Sequence, residues 1–260
     1  MVANVDIHHS AIIEDGAEIG DGTSVGPFCF VGSKVRLGQN VELKSHVVIK
    51  GDTFLGDENT VFPFAVLGEI PQDKKFNGES TSLKIGNRNQ IREHVTINVG
   101  TKGGGGITKV GNDGLFMAGC HIAHDAQVGD NVILVNNASL AGHCIIEDNV
   151  IVGGLSGVHQ FVRIGEGAII GAVTMVTNDV IPYGLVQAPR GELDGLNLVG
   201  LKRKGVPRAD IMALRAAFQT LSQGDGTFQD RAQRLTDDSD SKYVEKIVSF
   251  VLGQSDRSFL

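Results

Sequence analysis

Residues 7–67, broken every six, read IHHSAI IEDGAE IGDGTS VGPFCF VGSKVR LGQNVE LKSHVV IKGDTF LGDENT VFPFAV L. Each group opens on an aliphatic residue, eleven in succession from Ile7 to Leu67. The phase returns at Ile85, Ile91 and Ile97, and again from Val110 to Val176 with Phe116 as its one aromatic member, giving 26 hexads. Glycine often follows the opening residue, as at Gly20, Gly26, Gly32 and Gly38, and a small residue stands four places after it, as at Ala11, Ala17, Thr23 and Val35. Cys29, Cys120 and Cys144 fall in that same small-residue place, which predicts three buried apolar thiols.

A period of six fits neither an amphipathic helix nor a two-faced strand. It fits short flat strands joined by tight corners around a triangular coil, so that residues 18 apart stack on one face. Three hexads per turn predict about nine coils and, with strands roughly 4.8 Å apart, a prism about 40 Å long. Two stretches escape the period, near 71–83 (PQDKKFNGESTSL) and near 100–109 (GTKGGGGITK), and are expected as extruded loops of the kind that carry function. Beyond Ile181-Pro182 the period ends, and from about Gly191 the spacing turns helical: Leu193/Leu196/Leu198/Leu201, then a helix opened by Pro207, then FQDRAQRL and SKYVEKIVSFVL. The expected organisation is therefore a parallel β-helix over 1–190, followed by a small α-helical domain over 191–260.

The 260 residues include 23 basic and 30 acidic side chains, a net charge of −7 that argues against a polynucleotide partner. Three widely separated cysteines suit neither a disulfide framework nor a Cys-x-x-Cys metal site, and the first residues show no export signal. No apolar run is long enough for a membrane span, so a cytoplasmic location is expected. Lys202, Arg203, Lys204 and Arg208 form a basic cluster, either a solvated helix face or a seat for phosphates or an acidic partner.

Four of the eight histidines, His121, His124, His143 and His159, crowd into one part of the repeat. In hexad register Gly142 and Gln160 lie 18 and 36 places beyond His124. A histidine beside Asp125, with glycine N–H groups nearby, has the parts needed to deprotonate a nucleophile and hold an oxyanion. The plainer reading is that outward imidazoles decorate a polar face, as expected of His8, His9 and His46.

The strings GPFC (26–29), LKSHVV (43–48), IREHVTI (91–97), HIAHD (121–125), NNASLAGH (136–143), VHQF (158–161) and GLKRKG (200–205) together resemble the UDP-N-acetylglucosamine O-acyltransferases that begin lipid A biosynthesis. The general preference for right-handed crossovers yields here to the resemblance, which implies a left-handed β-helix and a homotrimer with sites between subunits. It also implies that His124 is the general base, that Asp125 orients it and that the Gly142 N–H stabilises the oxyanion. Gln72, Asp73, Lys75, His121, His143, His159, Gln160, Asn197 and Arg203 match positions holding the nucleotide sugar or the acyl donor. The donor is a 3-hydroxyacyl chain on acyl carrier protein, Ala172 is the expected chain-length ruler, and neither cofactor nor metal is implied. Asn98, Val199, Lys204 and Arg190 stand where better-known members have His, Glu, Arg and His, which leaves open a 3-amino analogue of the sugar as acceptor. Competing readings are the N-acyltransferase of the same pathway, whose extra N-terminal domain this repeat leaves no room for, a γ-type carbonic anhydrase holding zinc with its histidines, and a non-enzymatic scaffold.

Overall fold

A computed structural model describes residues 4–187, 192–223, 225–236, 240–255 and 258–259. Arg190, one of the departures from the family pattern, lies outside the described residues. Nearly every hexad forms one short strand, usually of two residues, ending on its aliphatic member: Asp6–Ile7, Ile12–Ile13, Glu18–Ile19 and onward. Alternation along a strand sends that residue inward and the one before it outward. Asp6 pairs with Ser24 and Ile7 with Val25, so the ladder joins residues 18 apart. Successive strands fall in turn on a first, second and third face, which hold 11, 9 and 8 strands among the described residues. The coil is a left-handed parallel β-helix. It makes nine turns, the last with its third side reduced to the single bridge Ile164–Val180.

The interior is built from stacked identical positions. Behind the second face run Val31, Ile49, Leu67, Ile97, Ile122, Leu140, Val158 and Val176, none more than 3% exposed. Full burial of such a side chain contributes about 1.5–3 kcal/mol before chain entropy is subtracted. Cys29, Cys120 and Cys144 are buried free thiols at the corners, as their phase predicts. At the corner between the third and first faces the small place is polar at Thr23, Asn59 and Asn89, whose side chains staple one coil to the next. Asn59 Nδ2 donates to Gly56 O and Gly86 O at 2.7 Å, and its Oδ1 accepts from Asn89 N at 2.8 Å and Asn89 Nδ2 at 3.0 Å. Asn89 repeats the device one coil on, accepting from Gly114 N at 2.8 Å.

The loops show as jumps in register. Across the first, the pairing offset rises from 18 to 30, as Thr60 faces Gln90; across the second it is 25, as Gln90 faces Leu115. The loops are narrower than the hexad frame suggests. Ser82–Ile85 and Ile107–Val110 are four-residue strands paired along their whole length, with Leu83 and Thr108 buried, so the ladder extends into what the sequence marks as loop.

Helical structure likewise begins later than Gly191. Glu192–Leu196 is a strand antiparallel to Gly184–Gln187. Leu193 faces Val186 and Leu196 faces Gly184 because the register skips Asp194, and this bulge puts residues three apart on one side, which mimics a helical spacing. Four helices follow: α1 (Leu198–Arg203), α2 (Arg208–Ser222, preceded by Pro207), α3 (Phe228–Arg234, with a Thr227/Asp230 capping box) and α4 (Lys242–Leu252). Their shared core includes Leu201, Leu214, Leu221, Ile247 and Val251. The tail closes the end of the prism: Ser255 Oγ donates to Asp179 Oδ2 at 2.6 Å, and the Arg163 guanidinium lies 4.4 Å from the centre of the Phe250 ring.

Removing one staple strands several partners at once. Asn59→Ala leaves the Gly86 carbonyl and the Asn89 amide unsatisfied inside the prism, and at about 1–3 kcal/mol per orphaned group it should lower Tm by several degrees. Thermal melts of this variant against an exposed control such as Asn77→Ala test this.

Candidate active site

The second face and the corner that follows it carry the histidines in vertical columns. His121 faces Ser139, and Ser139 faces Gly157, so the outward strand column runs His121, Ser139, Gly157, Met175. In the corner, the same register stacks His124, Gly142 and Gln160 in one column and Asp125, His143 and Phe161 in the next. The His143 N–H donates to His124 O at 3.0 Å, and the Phe161 N–H to Gly142 O at 3.1 Å. Asp125, His143 and Phe161 all have φ between 60° and 66°. That left-handed turn is one that Asp and His tolerate better than most residues, and it aims the Asp125 carboxylate back into the structure.

Asp125 is the most constrained side chain of the site, with no exposed surface, against 15% for the side chain of His124. Its Oδ2 accepts from His124 Nδ1 at 2.8 Å and from Thr101 Oγ1 at 2.6 Å, while Oδ1 accepts from Thr101 N at 2.8 Å. Its own N–H donates to Thr108 Oγ1 at 2.8 Å. A carboxylate can only accept here, so His124 carries its proton on Nδ1 and turns the Nε2 lone pair outward. The second loop supplies this clamp. A Cβ on Gly104 would lie 2.1 Å from Asp125 Cγ, so this position of the loop must be glycine, while Gly105 and Gly106 take positive φ. Gly142 is required for the same steric reason, since a Cβ there would lie 2.6 Å from His124 Cε1.

Two cavities flank this dyad. One, of about 340 Å³, is lined by Gln72, Asn98, His121, His124, Ser139 and Gly142 together with apolar neighbours. The other, of about 870 Å³, lies under the loops and includes Asp73, Lys75, Thr101, His143 and Phe161. His121 holds Thr96 Oγ1 at 2.7 Å through Nδ1. Burial, and then the neighbouring His124, pulls its pKa below the ordinary imidazole value. Burial also lowers His143, partly opposed by Asp125. His143 stacks on Phe161 with ring centres 4.4 Å apart.

His124, Asp125 and His143 could in principle hold a metal ion, their ligand atoms lying within 4.8 Å of one another. The donor set is otherwise engaged. Both Asp125 oxygens accept hydrogen bonds from Thr101, and His124 Nδ1 faces the carboxylate rather than a shared centre. The geometry is that of an oriented base, with neutral imidazoles on either side.

Of the residues expected from the sequence, Gln72, His121, His124 and Gly142 line the smaller cavity, and Asp73, Lys75 and His143 the larger. His159 and Gln160 are exposed two coils above His124, outside both linings. Asn197 caps α1, accepting from Gly200 N at 2.9 Å, and donates to Gly167 O at 2.9 Å, while Arg203 is exposed at the end of that helix. Neither lines either of these two cavities. Ala172 is exposed at the other edge of the second face, three coils further on. The sequence reading passed over Thr101, Thr108 and Phe161. Phe161 was recoverable from the 18-residue stacking, and Thr101 only by asking what the glycine run must approach.

Comparisons with known proteins bear on the family and the fold. A family model described as UDP N-acetylglucosamine O-acyltransferase, domain 2, matches residues 179–260, and one for the bacterial transferase hexapeptide repeat matches residues 16–51. An acyl-[acyl-carrier-protein]–UDP-N-acetylglucosamine O-acyltransferase of Paracoccus denitrificans is 66% identical over 200 residues, 77% of this chain and 76% of that protein. The protein of the same description from Aliarcobacter butzleri is 47% identical over 95% of both chains. Among solved structures, the acyltransferase of Acinetobacter baumannii superposes with a TM-score of 0.95 at 38% identity, covering 98% of this chain and 99% of that one. Identity of this extent over nearly the whole repeat and the helical tail leaves one assignment: the chain belongs to the UDP-N-acetylglucosamine O-acyltransferase family.

Proposed function

We propose that this protein transfers a 3-hydroxyacyl chain from acyl carrier protein to the 3-hydroxyl of UDP-N-acetylglucosamine, the first step of lipid A biosynthesis, with His124 as general base. The observation that carries the mechanism is the His124–Asp125 pair, fixed by Thr101 with Nε2 turned toward a cavity. His124 Nε2 takes the hydroxyl proton as the oxygen attacks the thioester carbon, and the imidazolium gains the Asp125 carboxylate as counter-charge. The tetrahedral oxyanion is held by the Gly142 N–H, which meets no acceptor among the described residues. Collapse breaks the C–S bond, and His124 returns the proton to the departing thiolate. His121 and His143, held neutral by burial, add no positive charge that would weaken the base.

Gln72, Asp73 and Lys75 bind the nucleotide sugar from the first loop. Asn197 and Arg203 reach the site from a neighbouring copy in a homotrimer, a reading supported by their absence from the two cavity linings, while His159 and Gln160, between Val158 and Phe161 of those linings, extend the cleft. Exposed apolar residues along the second face and its leading corner, among them Phe28, Leu155, Val173 and Met175, support the same assembly. Lys202 and Arg203 offer positive charge to the acidic carrier protein and the diphosphate. Free buried thiols suit a reducing cytoplasm, and no described helix is long and apolar enough to cross a membrane.

Thiol release from 3-hydroxyacyl carrier protein, dependent on UDP-N-acetylglucosamine, is the direct test; no release with either the hydroxy or the 3-amino sugar would refute the assignment. In that assay His124→Ala should lower kcat by about 10²–10⁴-fold, and Asp125→Asn by less, with UDP-sugar binding retained.

Ala172 shortens the acyl groove by a methyl group relative to glycine, so Ala172→Gly should move the optimum on a ladder of 3-hydroxyacyl donors toward longer chains. A methylene's worth of pocket space changes preference by about 10- to 200-fold. An unmoved optimum assigns the ruler to another residue.

The depressed imidazoles also set a pH dependence of stability. Below about pH 6.5 the unfolded chain protonates His121 and His143 before the folded one does, so stability is complete above that pH and declines as the pH falls toward the folded values. Melts between pH 7 and 5.5 should show Tm falling with acid, and a flatter profile for the His121→Gln/His143→Gln variant.

A further inference from the structure

Two buried side-chain polar atoms meet no partner among the described residues, Thr81 Oγ1 and Asn98 Oδ1, and of these only Asn98 lines the His124 cavity. Asn98 is 4% exposed. It ends the strand Thr96–Asn98, and since Ile97 faces Ile122, its register places it directly beneath Ala123, between the columns of His121 and His124. Its Nδ2 donates to Glu69 O at 3.4 Å, which anchors the amide to the base of the first loop, and Oδ1 lies unpartnered just beneath the cavity wall. A buried carbonyl left without a partner is destabilising. Nothing in the folding of the prism requires an amide here. Of the other polar groups lining the cavity, His124 receives the reacting proton, Gly142 the oxyanion, His121 is tied to Thr96 and Gln72 belongs to the first loop; Ser139 has a hydroxyl that both donates and accepts, so Asn98 Oδ1 is the group there that is both buried and without a partner among the described residues.

We propose that Asn98 Oδ1 accepts a hydrogen bond from the 2-acetamido N–H of the acceptor sugar and thereby selects a 2-amido sugar over one with oxygen at that carbon. The inference rests on the acyl-transfer reading above. If the 3-hydroxyl lies at His124, the substituents nearest to it are those on the adjacent ring carbons. Of these the amide N–H is a donor only, the complement of a carbonyl that is an acceptor only, whereas a hydroxyl would serve equally well beside a donor. A site with a committed acceptor rejects an analogue lacking the donor more strongly than an apolar pocket rejects a change of shape, because the buried acceptor is then left unpaired.

The test compares UDP-N-acetylglucosamine with its 2-O-acetyl ester counterpart, in which oxygen replaces the N–H, on wild type, Asn98→Leu and Asn98→Asp. Titration calorimetry reads the contact without turnover. Wild type should bind the amide about 10- to 100-fold more tightly than the ester. Asn98→Leu should lose that preference, while Asn98→Asp, which keeps an acceptor in place, should retain most of it. Melts without ligand should leave Asn98→Leu at least as stable as wild type, since the orphaned carbonyl is gone. Full amide preference in Asn98→Leu, an equal loss in both variants, or a lowered Tm for Asn98→Leu would overturn the proposal. Wild type that discriminates the two sugars yet releases no thiol would sink the acyl-transfer reading and leave the Asn98 contact standing; wild type that turns over but ignores the N–H would do the reverse.

Discussion

Everything in this molecule depends on one repeated pairing, residue i against residue i+18. It gives each coil its hydrogen bonds and sets each interior aliphatic above its predecessor. It also decides which outward side chains become neighbours. A helix brings together residues three and four apart, and a sheet hairpin those across one turn. Here chemistry is assembled from residues separated by whole coils, and the offset is fixed by the ladder rather than by side-chain packing. His124 and Gly142 are in contact for the same reason that Ile122 and Leu140 are.

The two insertions modify that rule locally. Because they change the offset to 30 and then 25 without moving any strand off its face, they add chain outside the prism and leave the interior stack continuous. The second insertion then folds back to do what no hexad can, covering a buried carboxylate with hydrogen-bond donors from Thr101. The rigid lattice places His124, and the irregular loop fixes the carboxylate that its Nδ1 meets.

Much of this was legible in the sequence, because the period of six acts through sterics that single residues report: an aliphatic residue that must fit inside, a glycine where a Cβ would strike the next coil, a small residue at the corner. The coil number, the buried cysteines and the stacking of His124, Gly142 and Gln160 follow from counting. The count fails where the backbone leaves its repeat. Leu193 and Leu196 have helical spacing yet sit in a bulged antiparallel strand, since a skipped residue and a helical turn place side chains on one side equally well. Thr101 was invisible because its partner is chosen by the path of a loop, and nothing in the string GTKGGGG says where the loop lands. Asn197 and Arg203 show another limit: a register describes one chain, and they do not meet His124 within it.

The two ends of the prism are unlike. At one end the first coil lies open, with the inward-facing Ile7 44% exposed and Ile13 only half-buried; at the other, four helices and the Asp179–Ser255 latch cover the last coil. In a stack where each layer touches only its neighbours, loosening has one place to start. Hydrogen exchange would therefore spread from the open end as a gradient, with the layers lost in order like coins from the free end of a roll. His124 and Asp125 lie in the sixth layer, so several turns can fray and reform at the N-terminal end while that pair keeps its geometry.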